Sequence, residues 1–294
     1  MKAVITMKKL FGGINLTWKK LIIFAVIAAV YTAIVASIPA LKYTSLTTLV
    51  ATFEVWILFG IIIIMNSKSS KESALKCFVF FLISQPLIYL LQVPFSWQGW
   101  HLFSYYKYWF IWTILCLPMG YIGYYMKKDK WWGYLILFPI ILLLTYSYNT
   151  YLAYFMFSYP KYILITLFCI ATMIIYPLYI FKNKKIQITG VIISCILIAV
   201  ITVLNLLNPL IYSTDVLSNG EKNHFDDTYK VDLEDSKYGS VKIIYIKSVE
   251  DYFVHADFKK EGKTMLTLTS PEGEKTKYNL SIKRDTYDIK KQVK

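Results

Sequence analysis

Seven predominantly apolar runs divide this chain, at 21–41, 46–65, 77–93, 108–126, 131–147, 162–181 and 186–207. A run of about 20 apolar residues is long enough to cross the ~30 Å hydrocarbon core of a bilayer. Backbone polar groups in lipid must satisfy one another, so runs of this kind are expected as helices. With 56% of its 294 residues hydrophobic and 17% charged, the chain is neither a disordered protein nor an ordinary soluble enzyme domain.

The net charge of +14 would suggest nucleic acid, but its position argues otherwise. From Tyr212 onward 15 basic residues balance 15 acidic ones, whereas the first 211 residues hold 17 lysines and only Glu54, Glu72 and Asp129. The excess lies in short clusters between apolar runs, and no basic stripe exists for a phosphate backbone to follow. Lys2, Lys8, Lys9, Lys19 and Lys20 precede the first run. Lys68, Lys71 and Lys76 precede the third, Lys127, Lys128 and Lys130 the fifth, and Lys182, Lys184 and Lys185 the seventh. The alternate loops carry Lys42, Lys107 and Lys161 alone. Under the positive-inside rule this predicts seven transmembrane helices with the N-terminus in the cytoplasm and the C-terminal segment outside. That orientation is opposite to a G-protein-coupled receptor, and the seventh run has no lysine for a retinal Schiff base. The first run is too long for the apolar region of a signal peptide.

Several features inside the runs carry information. Ala25, Ala29, Ala33 and Ser37 form a small-residue stripe suited to close helix packing, or to a homodimer seam. Pro86, Pro118, Pro139 and Pro177 fall in four consecutive runs, where each removes a helix hydrogen bond. Pro86 recurs as Pro139, Cys116 as Cys169 and Lys107-Tyr108 as Lys161-Tyr162 at near-constant spacing, a possible duplicated hairpin. Glu54 is the only acid within a run, and intramembrane acids are functional candidates by default. Gln85 lies at similar depth as its expected partner. One and two helix turns outward of Glu54, Ala51 and Thr47 continue its face, which predicts an outward-opening crevice with Glu54 at its floor. Trp97, Trp100, Tyr105, Tyr106 and Trp109 crowd an outer loop, either as an interfacial belt or as a platform for a sugar-bearing lipid or cell-wall polymer.

After Pro209 the composition changes. Residues 213–227 read as a polar linker, followed by alternating stretches at 229–233, 240–246, 252–258, 264–269 and 276–283 that read as short strands. Ser270-Pro271-Glu272-Gly273-Glu274 turns the last two into a hairpin, with Met265, Leu266 and Leu268 facing Tyr278, Leu280 and Ile282. This hairpin resembles the closing strands of bacterial immunoglobulin-like surface domains, which implies a small sandwich of a kind that binds or spaces and rarely catalyses. The expected organisation is a basic segment at 1–20, a transmembrane domain at 21–208, a linker at 209–228 and a β-sandwich at 229–294.

Cys77, Cys116, Cys169 and Cys195 all lie in apolar runs, so the tail has to fold without disulfides. A basic complement of 31 lysines with Arg284 alone fits an AT-rich bacterial genome. No phosphate-binding glycine loop, Gly-x-Ser-x-Gly, His-Glu-x-x-His or Cys-x-x-Cys occurs, and His255 with Asp257 read as same-face strand neighbours, not metal ligands. The expectation is a non-enzymatic plasma-membrane protein without cofactor or metal. It would anchor an exterior domain for assembly or ligand recognition, with the bilayer and an envelope protein or cell-wall polymer as partners and no nucleic acid. The alternative is a secondary transporter or lipid-handling carrier that uses Glu54.

Overall fold

The computed structural model describes residues 2–42, 44–96, 98–157, 161–207, 211–219, 224–247, 250–283 and 286–292. The chain forms two compact units, one of Met1–Phe155 with Pro160–Thr202 and one of Met156–Tyr159 with Val203–Lys294.

The first unit is helical: α1 (Lys2–Leu10), α2 (Trp18–Ser37), α3 (Ser45–Ala51), α4 (Phe53–Met65), α5 (Ser70–Gln92), α6 (Phe103–Gly123), α7 (Trp131–Phe157), α8 (Ile163–Ile180) and most of α9 (Lys184–Leu207). Among the described residues five helices, α2, α5, α7, α8 and α9, are long and apolar enough to cross a membrane. A sixth crossing results if α3 and α4, bent by 53° at one residue, form a single span. The 21-residue α6 falls outside that set, because Tyr105, Tyr106, Lys107, Tyr108 and Trp109 dilute its first two turns. Seven apolar runs therefore resolve into five or six uniformly apolar spans plus one aromatic-rich helix.

Local chemistry sets the helix boundaries. Thr17 caps α2 by accepting from the Lys20 amide. Ser69 caps α5 by accepting from the Glu72 amide at 3.2 Å, while the Glu72 carboxylate reaches back to the Lys68 amide at 2.6 Å, much as in a capping box. Ala25, Ala29 and Ala33 are buried, so the small-residue stripe of α2 is used within the chain, against α5. At the α5–α6 crossing a Cβ on Gly120 would sit 3.0 Å from the Ala74 Cα and the Ser73 carbonyl oxygen, and Ser73 donates to the Gly120 carbonyl at 2.8 Å. Glycine is what allows this approach.

The second unit is all-β and antiparallel. Strands β1 (Tyr212–Ser218), β4 (Asp251–Phe258) and β3 (Gly239–Ile246) form one sheet in the order β1-β4-β3. The other has β2 (Lys230–Leu233), β5 (Gly262–Thr269), β6 (Lys275–Ile282) and β7 (Tyr287–Lys291) in the order β2-β5-β6-β7. Val254, Ala256 and Phe258 of one sheet share a buried core with Leu266, Leu268 and Leu280 of the other, a sandwich-like arrangement. The expected hairpin is present, with Leu266 opposite Tyr278; Leu268, Leu280 and Ile282 are buried and Met265 is only half-buried.

Two expectations are corrected here. The stretch read as a linker contains β1, which pairs with β4 from Tyr212 opposite Phe258 to Ser218 opposite Phe253. In addition, the strand order among the described residues differs from the ABED and CFG sheets of an immunoglobulin domain. What the sequence pattern captured is two antiparallel sheets over one core.

Candidate functional sites

Glu54 lies in the first turn of α4, directly after the break at Thr52, and is buried at 3% exposure. The break has an identifiable cause. Thr48 and Thr52 each fold their hydroxyl back onto the carbonyl four residues earlier, which competes with straight helix, and Thr52 itself is extended at φ −112°, ψ 172°. The Val50 carbonyl beside the break accepts from the Trp56 indole at 2.9 Å, so this carbonyl is satisfied within the protein. A carboxylate at a helix N-terminus also faces the positive end of the helix dipole.

This geometry revises the expected crevice. Thr47 donates to the Leu41 carbonyl at 2.6 Å and Ala51 is exposed, and both precede the break, so they do not continue the Glu54 face. Gln85 is buried too, but the expected pair does not form: among the described residues, Glu54 Oε2 and Gln85 Nε2 both lack a hydrogen-bond partner. Among the described residues, Tyr151 of α7 and Cys169 of α8 lie within electrostatic reach of Glu54. Sequence spacing could not reveal them, because they come from another hairpin.

The outer aromatic residues do not form one platform. Trp97 lies outside the described residues. Trp100 is exposed and stacks on Phe103 at 5.8 Å, and Tyr105 is exposed. Tyr106 packs against Tyr89 and Phe110, and Trp109 against Phe53 at 5.2 Å. Two rings face outward and two are built into helix packing.

A cavity of about 440 Å³ opens among α4, α5, α6 and α7. Phe53, Trp109 and Trp112 line one end and Ile64, Gly123 and Met126 the other. The lining is almost wholly apolar, and Gly60 faces it with nothing within 4 Å of where a Cβ would be. A second cavity of about 120 Å³ lies among α2, α3 and α4. Glu54 lines neither.

The four lysine-rich segments meet at one end of the helical unit. Asn66 accepts from the Ile14 amide and donates to the Leu10 carbonyl. Lys76 is buried at 2% exposure, paired with Glu72 at 2.6 Å and hydrogen-bonded to the Leu16 carbonyl. Lys127 donates to the Ser67 carbonyl and the Tyr124 hydroxyl to the Lys68 carbonyl. Asp129, held in the left-handed region at φ 54°, accepts from the Lys182 and Asn183 amides at 2.8 and 2.9 Å. Ser45 meets Lys161 and Leu164, and Tyr89 meets Phe103, so the segments poor in lysine form contacts of their own.

In the β unit, register places Asp215 opposite His255 and Ser213 opposite Asp257. The His255 Nδ1 lies 2.7 Å from Asp215, its Nε2 lies 3.0 Å from the Ser213 hydroxyl, and that hydroxyl donates to Asp257 at 2.6 Å. Ser213-x-Asp215 and His255-x-Asp257 each put two polar groups on one strand face; treating 213–227 as linker hid their meeting. The Ser213 hydroxyl is thus shared between Asp257 and the imidazole, and the cluster ties β1 to β4 through its side chains. Among the described residues no group of three His, Cys, Asp or Glu is placed to hold a metal ion.

Together these features define a helical protein with membrane-spanning candidates joined to an antiparallel β unit. No protein-family model, curated protein or solved structure matches the chain.

Proposed function

We propose that this chain is a non-enzymatic plasma-membrane protein of a bacterial envelope. It crosses the bilayer seven times with its N-terminus in the cytoplasm, and it holds its β-sandwich outside for assembly or ligand recognition. The observation that carries this reading is the gathering of the four lysine-rich segments at one end of the helical unit. Between successive segments the chain leaves that end and returns, so α2 with α3–α4, α5 with α6, and α7 with α8 are three pairs of crossings. α9 then leaves last, towards the β unit. Lysine retention on the cytoplasmic side sets the orientation. The partner class, an envelope protein or cell-wall polymer, is supported by the exposed rings of Trp100 and Tyr105.

The test is cysteine labelling by a membrane-impermeant maleimide, on a background lacking the four native cysteines. Lys277→Cys reacts in intact cells and Lys182→Cys only after lysis; the opposite pattern sinks the reading. Deletion of 213–294 abolishes partner capture while leaving membrane insertion intact.

A second reading, a carrier that uses Glu54, is favoured by one observation: a broken span beside a buried carboxyl oxygen without a partner among the described residues. It requires pH-dependent flux that Glu54→Gln abolishes, whereas the anchoring reading has Glu54→Gln leave partner capture unchanged.

A further inference from the structure

The 440 Å³ cavity belongs to neither reading, and we infer that it holds one acyl chain of an anionic glycerophospholipid, with the headgroup at the lysine-rich end. The inference rests on the membrane embedding proposed above, but not on which face of the membrane the β unit occupies.

Three observations point to that occupant. The first is chemistry: α4, α5, α6 and α7 present an almost entirely apolar lining, in a helical unit whose apolar spans place it in hydrocarbon, so a hydrocarbon chain is the available solute. The second is length. From Phe53 to Ile64 along α4 the lining runs for about 16 Å, and from Trp109 to Gly123 along α6 for about 21 Å, at 1.5 Å per residue. Half of a bilayer core is about 15 Å, so the groove spans one leaflet and a little more, the reach of a single acyl chain.

The third is charge. Met126 lines one end of the groove, and Lys127 and Lys128 follow it directly, with Lys130 two residues on. Their ammonium groups are held near the lipid boundary by aromatic rings, Lys127 over Tyr124 at 4.8 Å and Lys128 over Tyr125 at 6.0 Å. The acids at this end are engaged elsewhere. Glu72 pairs with Lys76 and the Lys68 amide, and Asp129 takes the Lys182 and Asn183 amides. Lys127 is held by the Ser67 carbonyl, whereas among the described residues no carboxylate forms a salt bridge with Lys128, which leaves that cation for a phosphate headgroup. The far end offers the rings of Phe53, Trp109 and Trp112, against which a chain terminus packs without polar cost.

Gly60 gives the means of testing this, because it lines the groove and a Cβ there meets nothing within 4 Å. Native mass spectrometry of the full chain, purified in detergent and incubated with phosphatidylglycerol or phosphatidylcholine of the same chain length, reads occupancy directly. The wild type retains one phosphatidylglycerol and prefers it over phosphatidylcholine. Lys128→Gln lowers that preference about fivefold, the effect of one cation near an anionic surface. Gly60→Trp expels the lipid, and Gly60→Leu, the milder change, is read the same way if the tryptophan variant does not fold. Equal retention of both lipids overturns the headgroup assignment, and undiminished lipid in both folded Gly60 variants overturns the groove. A lipid-free dimer that Gly60→Leu dissociates would mean a second copy fills the groove, and the proposal fails. Maleimide labelling is read separately, so a failure here is distinguishable from a failure of the topology.

Discussion

Trp56 shows how one side chain holds an unusual backbone in place. Its indole N–H satisfies the Val50 carbonyl at 2.9 Å in a buried site next to the helix break. Trp56→Phe keeps an aromatic ring and removes the donor, leaving a buried carbonyl unsatisfied at a cost of about 1–3 kcal/mol. Thermal unfolding followed by a thiol-reactive dye at buried Cys77 and Cys169 should register the loss; an unchanged midpoint would mean the break does not depend on this bond. His255 plays a comparable part in the β unit, joining Asp215 and Ser213 of β1 to β4. Its replacement by alanine removes bonds worth about 1 kcal/mol, so amide hydrogen exchange across 211–219 should rise roughly fivefold. Residues of this kind are poorly legible in sequence. Glu54 stood out because a lone acid in an apolar run is conspicuous, yet its neighbours Tyr151 and Cys169 lie about a hundred positions away, and nothing at residues 54 or 85 announces that the two do not pair.

Element by element, the sequence was most readable where one face is buried and the other is not. β4, β5 and β6 alternate strongly because they occupy the interior of their sheets, and all three were legible. β1 and β7, which were missed, are edge strands, as are β2 and β3, which were read; what sets the missed pair apart is how little of them alternates. β1 has Val216 as its one buried residue, and β7 exposes Asp288, Lys290 and Lys291. Charged edges resist further pairing but erase the pattern that would reveal the strand. Break points in helices are hidden for a different reason: Thr47, Thr48 and Thr52 are compatible with a membrane helix, and only their hydroxyl geometry decides the bend. The β unit also has a defined alkaline limit. Burial raises the phenols of Tyr278 and Tyr287 above their ordinary value of 10.0, and burial favours the neutral form. The unfolded chain therefore ionises first as pH rises, so the stabilisation is complete below about pH 10 and is lost on passing through the higher folded values. The unfolding temperature of the β unit should hold steady to about pH 10 and fall above it, and Tyr278→Phe should flatten the fall. A flat wild-type profile would contradict this account.

At the scale of the whole molecule, composition and lysine spacing were enough to anticipate a helical part and a β part, because hydrophobic length and charge asymmetry are properties of long segments and average over local error. The number of spans was less legible, since α6 mixes aromatic and apolar residues and α3–α4 is bent. The lysine-rich end is cross-braced chiefly by side chains bonding to backbone. Asp129→Ala would release the 181–184 turn from the 124–130 turn and should lower the unfolding midpoint by a few degrees, as expected for the loss of two charge-assisted bonds. A midpoint equal to that of the wild type would show the brace to be redundant.

Asp129 also has a mechanical consequence. Because it binds two neighbouring amides at once, the turns it joins cannot slide past each other without breaking both bonds together. The helical unit is thus pinned at its lysine-rich end and notched near the other, at Thr52. The other end is held too, with Ser45 at the start of α3 bonded to the Lys161 carbonyl and the Leu164 amide. A displacement between these two held ends would therefore be taken up where the rod is interrupted, at Thr52 and the opened backbone beside Trp56.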